Sequence, residues 1–221
     1  LLFARFGGNI EIVANESYEG LTGSTVWAAI PLFTMVGFVL SESKAGERLV
    51  RLFRALFGWL PGGLFIAAVI ASAFFTTFTG ASGVTIVALG GLLILVLVRD
   101  RERDELFSVG LLTASGSLGL LFPPRLALIV YGSVAGVSIR DLFLGGLVPG
   151  IAMVVAMSIA GVVFARRRSL PSVPFSVAEA WTALREATFE LLLPLLIVVL
   201  YFGGIATLTE TASYALVYTL L

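Results

Sequence analysis

The sequence predicts an all-α membrane protein, a polytopic helical bundle, and three observations carry that reading. Apolar residues make up 58% of the 221 positions and charged residues only 13%, against about half and about a quarter in soluble domains. The charges gather in a few short stretches, and the apolar runs between them approach the length of about 20 residues that a bilayer requires. Mean hydropathy is +1.05, and a soluble core of this size could not hide so much apolar surface.

The same composition removes several function classes. A formal net charge of zero provides no bulk attraction to nucleic acid, so none is expected as a partner. Cysteine and histidine are both absent. That excludes disulfides, thiolate nucleophiles, zinc sites built on Cys and His, and any Ser-His-Asp triad within these residues. Neither GxGxxG nor GxxxxGK[ST] occurs, so there is no nucleotide-binding signal. An enzyme is not expected, nor any cofactor; a transporter built this way would draw energy from another subunit or an ion gradient. Position 1 is Leu, and Tyr214 to Leu221 still lie inside an apolar run. The expectation is an internal piece of a longer protein.

Residues 1–25 mix charge, Gly and Asn and read as the tail of one helix followed by an external connection. An apolar run at 26–41 stops at Ser41-Glu42-Ser43-Lys44. Lys44, Arg48, Arg51 and Arg54 then alternate at helical spacing with Leu49, Leu52, Phe53 and Leu56, which predicts an interfacial helix with a basic face. Leu60-Pro61-Gly62-Gly63 breaks it. Residues 64–98 are apolar but interrupted at 76–83, and Arg99 to Glu105 form a solvated connection. Residues 106–139 are again apolar, interrupted by Ser115-Gly116-Ser117-Leu118-Gly119 and Phe122-Pro123-Pro124-Arg125. Arg140-Asp141 is read as a turn, 142–165 as a spanning helix ended by Arg166-Arg167-Arg168, and Ser169 to Phe175 as a linker. Ser176-Val177-Ala178-Glu179 fits a capping box. Residues 191–205 are apolar, Gly203-Gly204 to Glu210 is a break, and a further helix is expected to start near Thr211.

Orientation follows from the basic stretches at 44–54, 99–103 and 166–168, which should all be cytoplasmic. Residues 64–98 then begin and end on one side. They either cross twice or enter and return as a re-entrant hairpin, with arms of about 16–18 residues, short for a full span. Residues 106–139 cross once yet are too long for one straight span at about 1.5 Å per residue, which a break at 115–124 resolves.

Non-helical backbone at membrane depth is tolerated where it lines a cavity or is buried in protein. The first break offers hydroxyls of Thr76, Thr77, Thr79 and Ser82 and carbonyls near Gly80 and Gly83. The second offers Ser115 and Ser117 and backbone near Gly116 and Gly119. Such hard oxygen ligands suit an alkali cation. Pro123 and Pro124 are expected to restart the helix, and Arg125, a charge inside an apolar run, could bind a carboxylate bidentately. Against these stand plainer readings: Gly and Ser ordinarily serve helix packing, Arg125 could snorkel or pair with another chain, and Glu210 suits a helix start. Gly132 to Gly136 matches GxxxG and is assigned to packing, and the basic runs to topology.

Several stretches resemble the large membrane subunit of TRAP (tripartite ATP-independent periplasmic) transporters, the DctM-like family. They are Phe78-Thr79-Gly80-Ala81-Ser82-Gly83, the run from Leu112 to Pro124, Ile129-Val130-Tyr131-Gly132, and Val137 to Gly150. Leu60-Pro61-Gly62-Gly63 and Gly203 to Glu210 continue the match, in order and spacing, along nearly the whole chain. The resemblance implies a bundle with a re-entrant helical hairpin and a discontinuous helix, one inverted repeat of an elevator-type ion transporter fold. It implies a small membrane subunit and a periplasmic substrate-binding protein as partners, with Na⁺ as coupling ion. It further implies import of carboxylate-bearing solutes of the C4-dicarboxylate type across the cytoplasmic (inner) membrane of a bacterium or archaeon. On it, Thr79, Gly80, Ser82, Gly83, Ser115, Gly116, Ser117 and Gly119 are assigned to Na⁺, and Ser82, Ser117, Pro123, Pro124 and Arg125 to substrate.

The expected division is residues 1–60 (a scaffold-side helix and the interfacial basic helix), 61–98 (the re-entrant hairpin) and 99–141 (the broken helix). A transmembrane helix with its linker follows over 142–175, then an amphipathic helix and the start of a second repeat over 176–221. The sequence departs from the family pattern at four places. The tip reads Thr-Gly-Ala-Ser-Gly where Ser-Gly-Ser is frequent, the arm at 87–93 lacks Ile-Pro, Arg125 stands where a small polar residue is common, and Thr207 to Glu210 lacks proline. Two other readings stay open: an ion/proton antiporter or anion exporter with related broken helices, and a structural membrane subunit that transports nothing.

Overall fold

The computed structural model describes residues 15, 18, 25–80, 82–97, 102–168, 172 and 174–221. The expectation for residues 1–25 therefore falls almost wholly outside the described residues, as does that for Arg99 to Arg101. A 3₁₀ turn, Thr25–Ala28, leads into α1 (Ala29–Glu42), followed by α2 (Ala45–Phe57), α3 (Gly63–Thr79), α4 (Ser82–Leu97) and α5 (Glu102–Gly116). A second 3₁₀ turn, Leu118–Leu121, separates α5 from α6 (Leu126–Ala135). The chain continues through α7 (Ile139–Arg167), α8 (Val177–Glu186) and α9 (Thr188–Ile197), a π turn at Val198–Phe202, and α10 (Leu208–Leu220). Among the described residues there is no strand.

Leu106–Ala135 and Ile139–Arg167 are each long and apolar enough to cross a membrane. The pair Val26–Glu42 and Ala45–Phe57, bent by 71°, is a third candidate if it is one broken span. The bend agrees with the sequence pattern. In α2 the residues Leu49, Val50, Leu52 and Phe53 are buried, whereas Glu47, Arg48, Arg51 and Arg54 are exposed, the division an interfacial helix needs.

Helix α3 is the centre of the molecule. Ala67, Ala68, Ala71 and Ala73 are buried along it beside Phe65 and Phe75, and α2, α4, α5 and α7 all pack on it. Small side chains allow several helices to approach one axis without the hydrophobic drive that water provides. Helix α4 folds back along α3: Thr85 meets Thr76 across the bend, and Phe75 and Leu89 both border Gly46 of α2. The two arms, of 17 and 16 residues, reach about 25 Å at 1.5 Å per residue, short of a hydrocarbon layer of about 30 Å. A second core joins α1, α9 and α10 with Phe78, Ile129 and Phe143, so the break after α3 lies between the two cores.

Several sequence expectations need correction. Arg140 and Asp141 are not a turn but the first turn of α7, because the Ser138 side chain caps that helix by accepting from the Asp141 N–H at 3.3 Å. Pro123 and Pro124 do not begin the next helix. Both stand in a non-helical turn joined by a cis peptide bond, and α6 starts at Leu126 with Arg125 as N-cap. Residues 102–105 belong to α5 rather than to a loop.

Helix α10 starts at Leu208, not near Thr211, since Thr207 and Glu210 form a full capping box. Glu210 thus has the helix-start role considered for it. At Ser176 only half of the expected box forms. The serine accepts from the Glu179 N–H at 3.4 Å, but the Glu179 carboxylate is held by Arg51. In the GxxxG match, Gly132 is buried against Ile139, while Gly136 is the left-handed C-cap of α6, where a side chain would meet open space.

The basic face of α2 does more than set topology. Arg51 makes a bidentate pair with Glu179 at 2.8 and 3.2 Å and a third bond to Glu186 at 2.5 Å. Arg48 bonds Glu190 at 2.9 Å. Hydrogen bonding to Arg51 holds the Glu179 carboxyl below the usual carboxylate range, and the two acids push the Arg51 guanidinium further up.

Candidate ion and substrate site

The stretches singled out in the sequence as interruptions pack against each other at Thr76 and Gly119, 43 positions apart, but the first is shorter than expected, since α3 stays helical through Thr79 and α4 begins at Ser82. Gly119 sits in the 3₁₀ turn and is buried. A methyl group there would collide with the Thr76 side chain and lie 2.7 Å from the Thr76 carbonyl carbon and the Thr77 nitrogen. On its other side the turn rests on α7, where a methyl at Gly146 would lie 2.5 Å from the Leu121 carbonyl oxygen. The unwound segment is thus clamped between α3 and α7, which meets the condition for irregular backbone in a membrane.

At the other interruption α3 ends on Gly80, whose φ of +66° is the left-handed conformation that costs glycine little. Its N–H donates to the Thr76 carbonyl at 2.9 Å, and the remaining carbonyls of that last turn have no donor from within the helix. A side chain on Gly80 would meet Leu126, the first residue of α6, at 3.6 Å. The C-terminal end of α3 therefore adjoins the N-terminal end of α6. Partial negative charge from carbonyls lies beside partial positive charge from unpaired N–H groups. The first suits a cation and the second an anion.

Below the tip three hydroxyls cluster. Thr76 Oγ1 donates to the Ser72 carbonyl at 2.7 Å and lies 2.8 Å from Thr85 Oγ1; Thr79 Oγ1 is 3.2 Å from Thr85 Oγ1. Thr76 and Thr85 are fully buried. Sequence reasoning named Thr76 and Thr79 but missed Thr85. Its signal was weak: one hydroxyl nine positions beyond Thr76, on an otherwise apolar arm.

The other assigned residues divide. Gly83 is exposed in the first turn of α4; Ser82 opens that helix, and its side chain and Ala81 lie outside the described residues. Ser115 is fully buried and donates to the Leu111 carbonyl at 2.6 Å. Ser117 is exposed and donates to the Ala114 carbonyl at 2.7 Å. Both hydroxyls bond within their own helix or its end, so each presents lone pairs rather than its proton. Gly116 is buried at the end of α5 and Pro124 is buried in the following turn. Arg125 is half-buried, its side chain makes no cap bond to α6, and its buried Nη1 has no partner among the described residues.

The family of the tripartite ATP-independent periplasmic transporter, DctM component, matches residues 1–221. A C4-dicarboxylate TRAP transporter large permease of Vibrio cholerae is 36% identical over 94% of this chain and 46% of its own length. The ectoine TRAP large permease TeaC of Halomonas elongata is 29% identical over 99% of this chain and 52% of its own. The isethionate TRAP permease DctMQ of Oleidesulfovibrio alaskensis is 30% identical over 96% and 33%. The chain spans about half the length of the first two and a third of the last. A match that runs through both helix breaks and over every described element shows that the chain belongs to the DctM family of TRAP transporter large permeases, which are transport proteins and not enzymes.

Proposed function

We propose that this chain forms one half of a Na⁺-coupled membrane permease that imports carboxylate-bearing solutes. Delivery is by a periplasmic binding protein, and a small membrane subunit completes the assembly in a bacterial inner membrane. One observation carries the reading: the carbonyl-rich end of α3 adjoins the N–H-rich end of α6 at Gly80 and Leu126, with a guanidinium nitrogen of Arg125 that has no partner among the described residues at the same helix start. Na⁺ would be held at the first of these ends by carbonyls near Gly80, with Thr79, Ser82 and Gly83. Ser115, Gly116, Ser117 and Gly119 would contribute oxygen and backbone from the second break. The solute carboxylate would take the second end, at Ser82 and the turn of Pro123 and Pro124, with Arg125 as its counter-charge, and Ser117 would join it by turning its hydroxyl proton from the Ala114 carbonyl to the solute. Placing cation and anion side by side lets each strengthen the binding of the other, which is the coupling a symporter needs.

In this reading α3 and α4 form a re-entrant hairpin, and the hairpin and the broken helix α5–α6 travel together past α1 as an elevator. C4-dicarboxylates, ectoine and isethionate, for which relatives are named, each carry at least one anionic head, a carboxylate in the first two and a sulfonate in the third. Recognition of that head by a helix end and an arginine is what a shared permease fold can supply. The test is uptake of labelled succinate, ectoine and isethionate into proteoliposomes holding the full-length permease and its small subunit. The binding protein is outside, with and without an inward Na⁺ gradient. Uptake requiring both Na⁺ and binding protein is expected. Gradient-driven exchange that ignores the binding protein would overturn the reading in favour of an antiporter.

A further inference from the structure

A second polar site lies away from the helix breaks, where the α1–α2 turn meets α9 and α10. A cavity of about 280 Å³ opens there, walled by Ser43, Arg48, Glu190 and Tyr218. Glu190 is only 6% exposed. Its Oε1 accepts from Arg48 at 2.9 Å, whereas its Oε2 is buried with no partner among the described residues. Tyr218 uses its hydroxyl to donate to the Phe189 carbonyl at 3.0 Å. A buried carboxylate oxygen without a donor is costly, so a ligand that donates a proton to it would be favoured. The guanidinium beside it asks for an anionic group.

From this cavity an apolar trough of about 380 Å³ runs between α9 and α10, past Leu196, Leu200, Tyr214 and Val217. Tyr218 and Leu221 border both spaces. Leu196 and Leu200 lie 6 and 10 residues beyond Glu190, so the trough descends about 9–15 Å below the carboxylate. That is roughly the depth of one leaflet of a hydrocarbon layer about 30 Å thick. A neighbouring cation and anion at the surface, opening on an apolar channel one leaflet deep, match one kind of molecule.

We propose that this site binds a phospholipid with a primary ammonium headgroup, of the phosphatidylethanolamine type. Its ammonium donates to Glu190 Oε2, its phosphate meets the Arg48 guanidinium, and one acyl chain lies in the trough beside Leu200 and Val217. An anionic lipid satisfies Arg48 but brings negative charge to Glu190, and a quaternary headgroup has no proton to donate. Selectivity for the primary amine therefore rests on the buried carboxylate. Arg48 lies in the basic stretch 44–54, so the lipid belongs to the cytoplasmic leaflet.

The full-length permease with its membrane partner would be purified in mild detergent from membranes containing phosphatidylethanolamine and phosphatidylglycerol. Co-purified lipid would then be quantified by mass spectrometry. The wild type should show an ethanolamine-to-glycerol headgroup ratio at least about fivefold above that of the bulk membrane. Glu190→Gln, which keeps shape but removes the charge, should return the ratio to the bulk value. Val217→Trp should lower total bound lipid, and Arg51→Ala, which breaks the neighbouring ion pairs, should leave the ratio unchanged. A bulk-like ratio in the wild type, as expected if residues beyond 221 fill the trough, overturns the proposal. So does an enrichment that survives Glu190→Gln.

Discussion

At the scale of single residues, the site depends on one missing side chain and one extra charge. Gly119 has no room for a methyl group against the backbone of Thr76 and Thr77. Gly119→Ala should cost about 1–3 kcal/mol through overpacking, read as a lower midpoint in thermal unfolding of the purified permease, and uptake should fall with it. Thr85 ties Thr76 to Thr79. Thr85→Val should raise the Na⁺ concentration needed for half-maximal uptake, and Thr85→Ser should restore it, a pairing that a purely steric role would not produce. Arg125→Ala should raise the half-saturating solute concentration by about 10- to 150-fold, the equivalent of a charged hydrogen bond worth about 1.5–3 kcal/mol, and leave the Na⁺ requirement in place. Lysine at that position should recover only part, because an ammonium cannot grip a carboxylate with two parallel bonds. Arg125 was recognisable in the sequence as a charge in an apolar run. That its Nη1 is buried without a partner among the described residues was not, since this depends on which helices surround it.

At the scale of elements, the device that calls for explanation is the strap formed by α2, α8 and the start of α9. Arg48 and Arg51 project from one face of α2, and Glu179, Glu186 and Glu190 receive them from more than 120 positions away. Exposed pairs such as the two of Arg51 add little individually, but together with the Arg48–Glu190 pair they fix the register of one short helix against α8 and the start of α9. Glu179 has its folded carboxyl pKa lowered by Arg51, so its contribution is complete above the ordinary carboxylate range and is lost as pH falls through the lowered value. Hydrogen exchange in residues 177–186, expressed relative to the intrinsic rate at each pH, should therefore be slow at neutral pH and become fast by that measure as the pH falls through the lowered value. Arg51→Ala should give the fast exchange already at neutral pH, and high salt should have a similar, smaller effect. The α2 pattern of charge and leucine was plain in the sequence. Its acidic partners were not, because contacts at such separation leave no periodic trace.

At the scale of the whole molecule, two cores meet at a seam. One is centred on α3 and holds α2, α4, α5 and α7; the other holds α1, α9 and α10. Both helix breaks lie near that seam, and Gly37 of α1 touches the backbone of Phe78 and Thr79 there. If the hairpin and the broken helix α5–α6 move together past α1, this contact must slide. A bulky residue at Gly37 should then stop uptake while solute binding to the isolated periplasmic protein is unaffected. Cross-linking α1 to the tip of α3 through engineered cysteines should trap the same state, and reduction should release it.

Local chemistry settled much of this from sequence: that the chain is helical and membrane-embedded, and roughly where its helices stop, although most of the break expected at 76–83 is helical. Apolar length, Gly at a left-handed end, Thr and Ser at caps and clustered Lys and Arg each act within a few residues, and a linear reading captures them. Even there the start of α6 at Leu126 and of α7 at Ile139 escaped it, since a charged pair and two prolines are compatible with either a turn or a first helical turn. Tertiary structure alone decided that Gly119 rests on Thr76, that the ends of α3 and α6 adjoin, and that Glu190 is buried with one oxygen unpaired among the described residues. Those facts come from close packing among segments distant in sequence, where shape and depth, rather than residue type, determine what meets what.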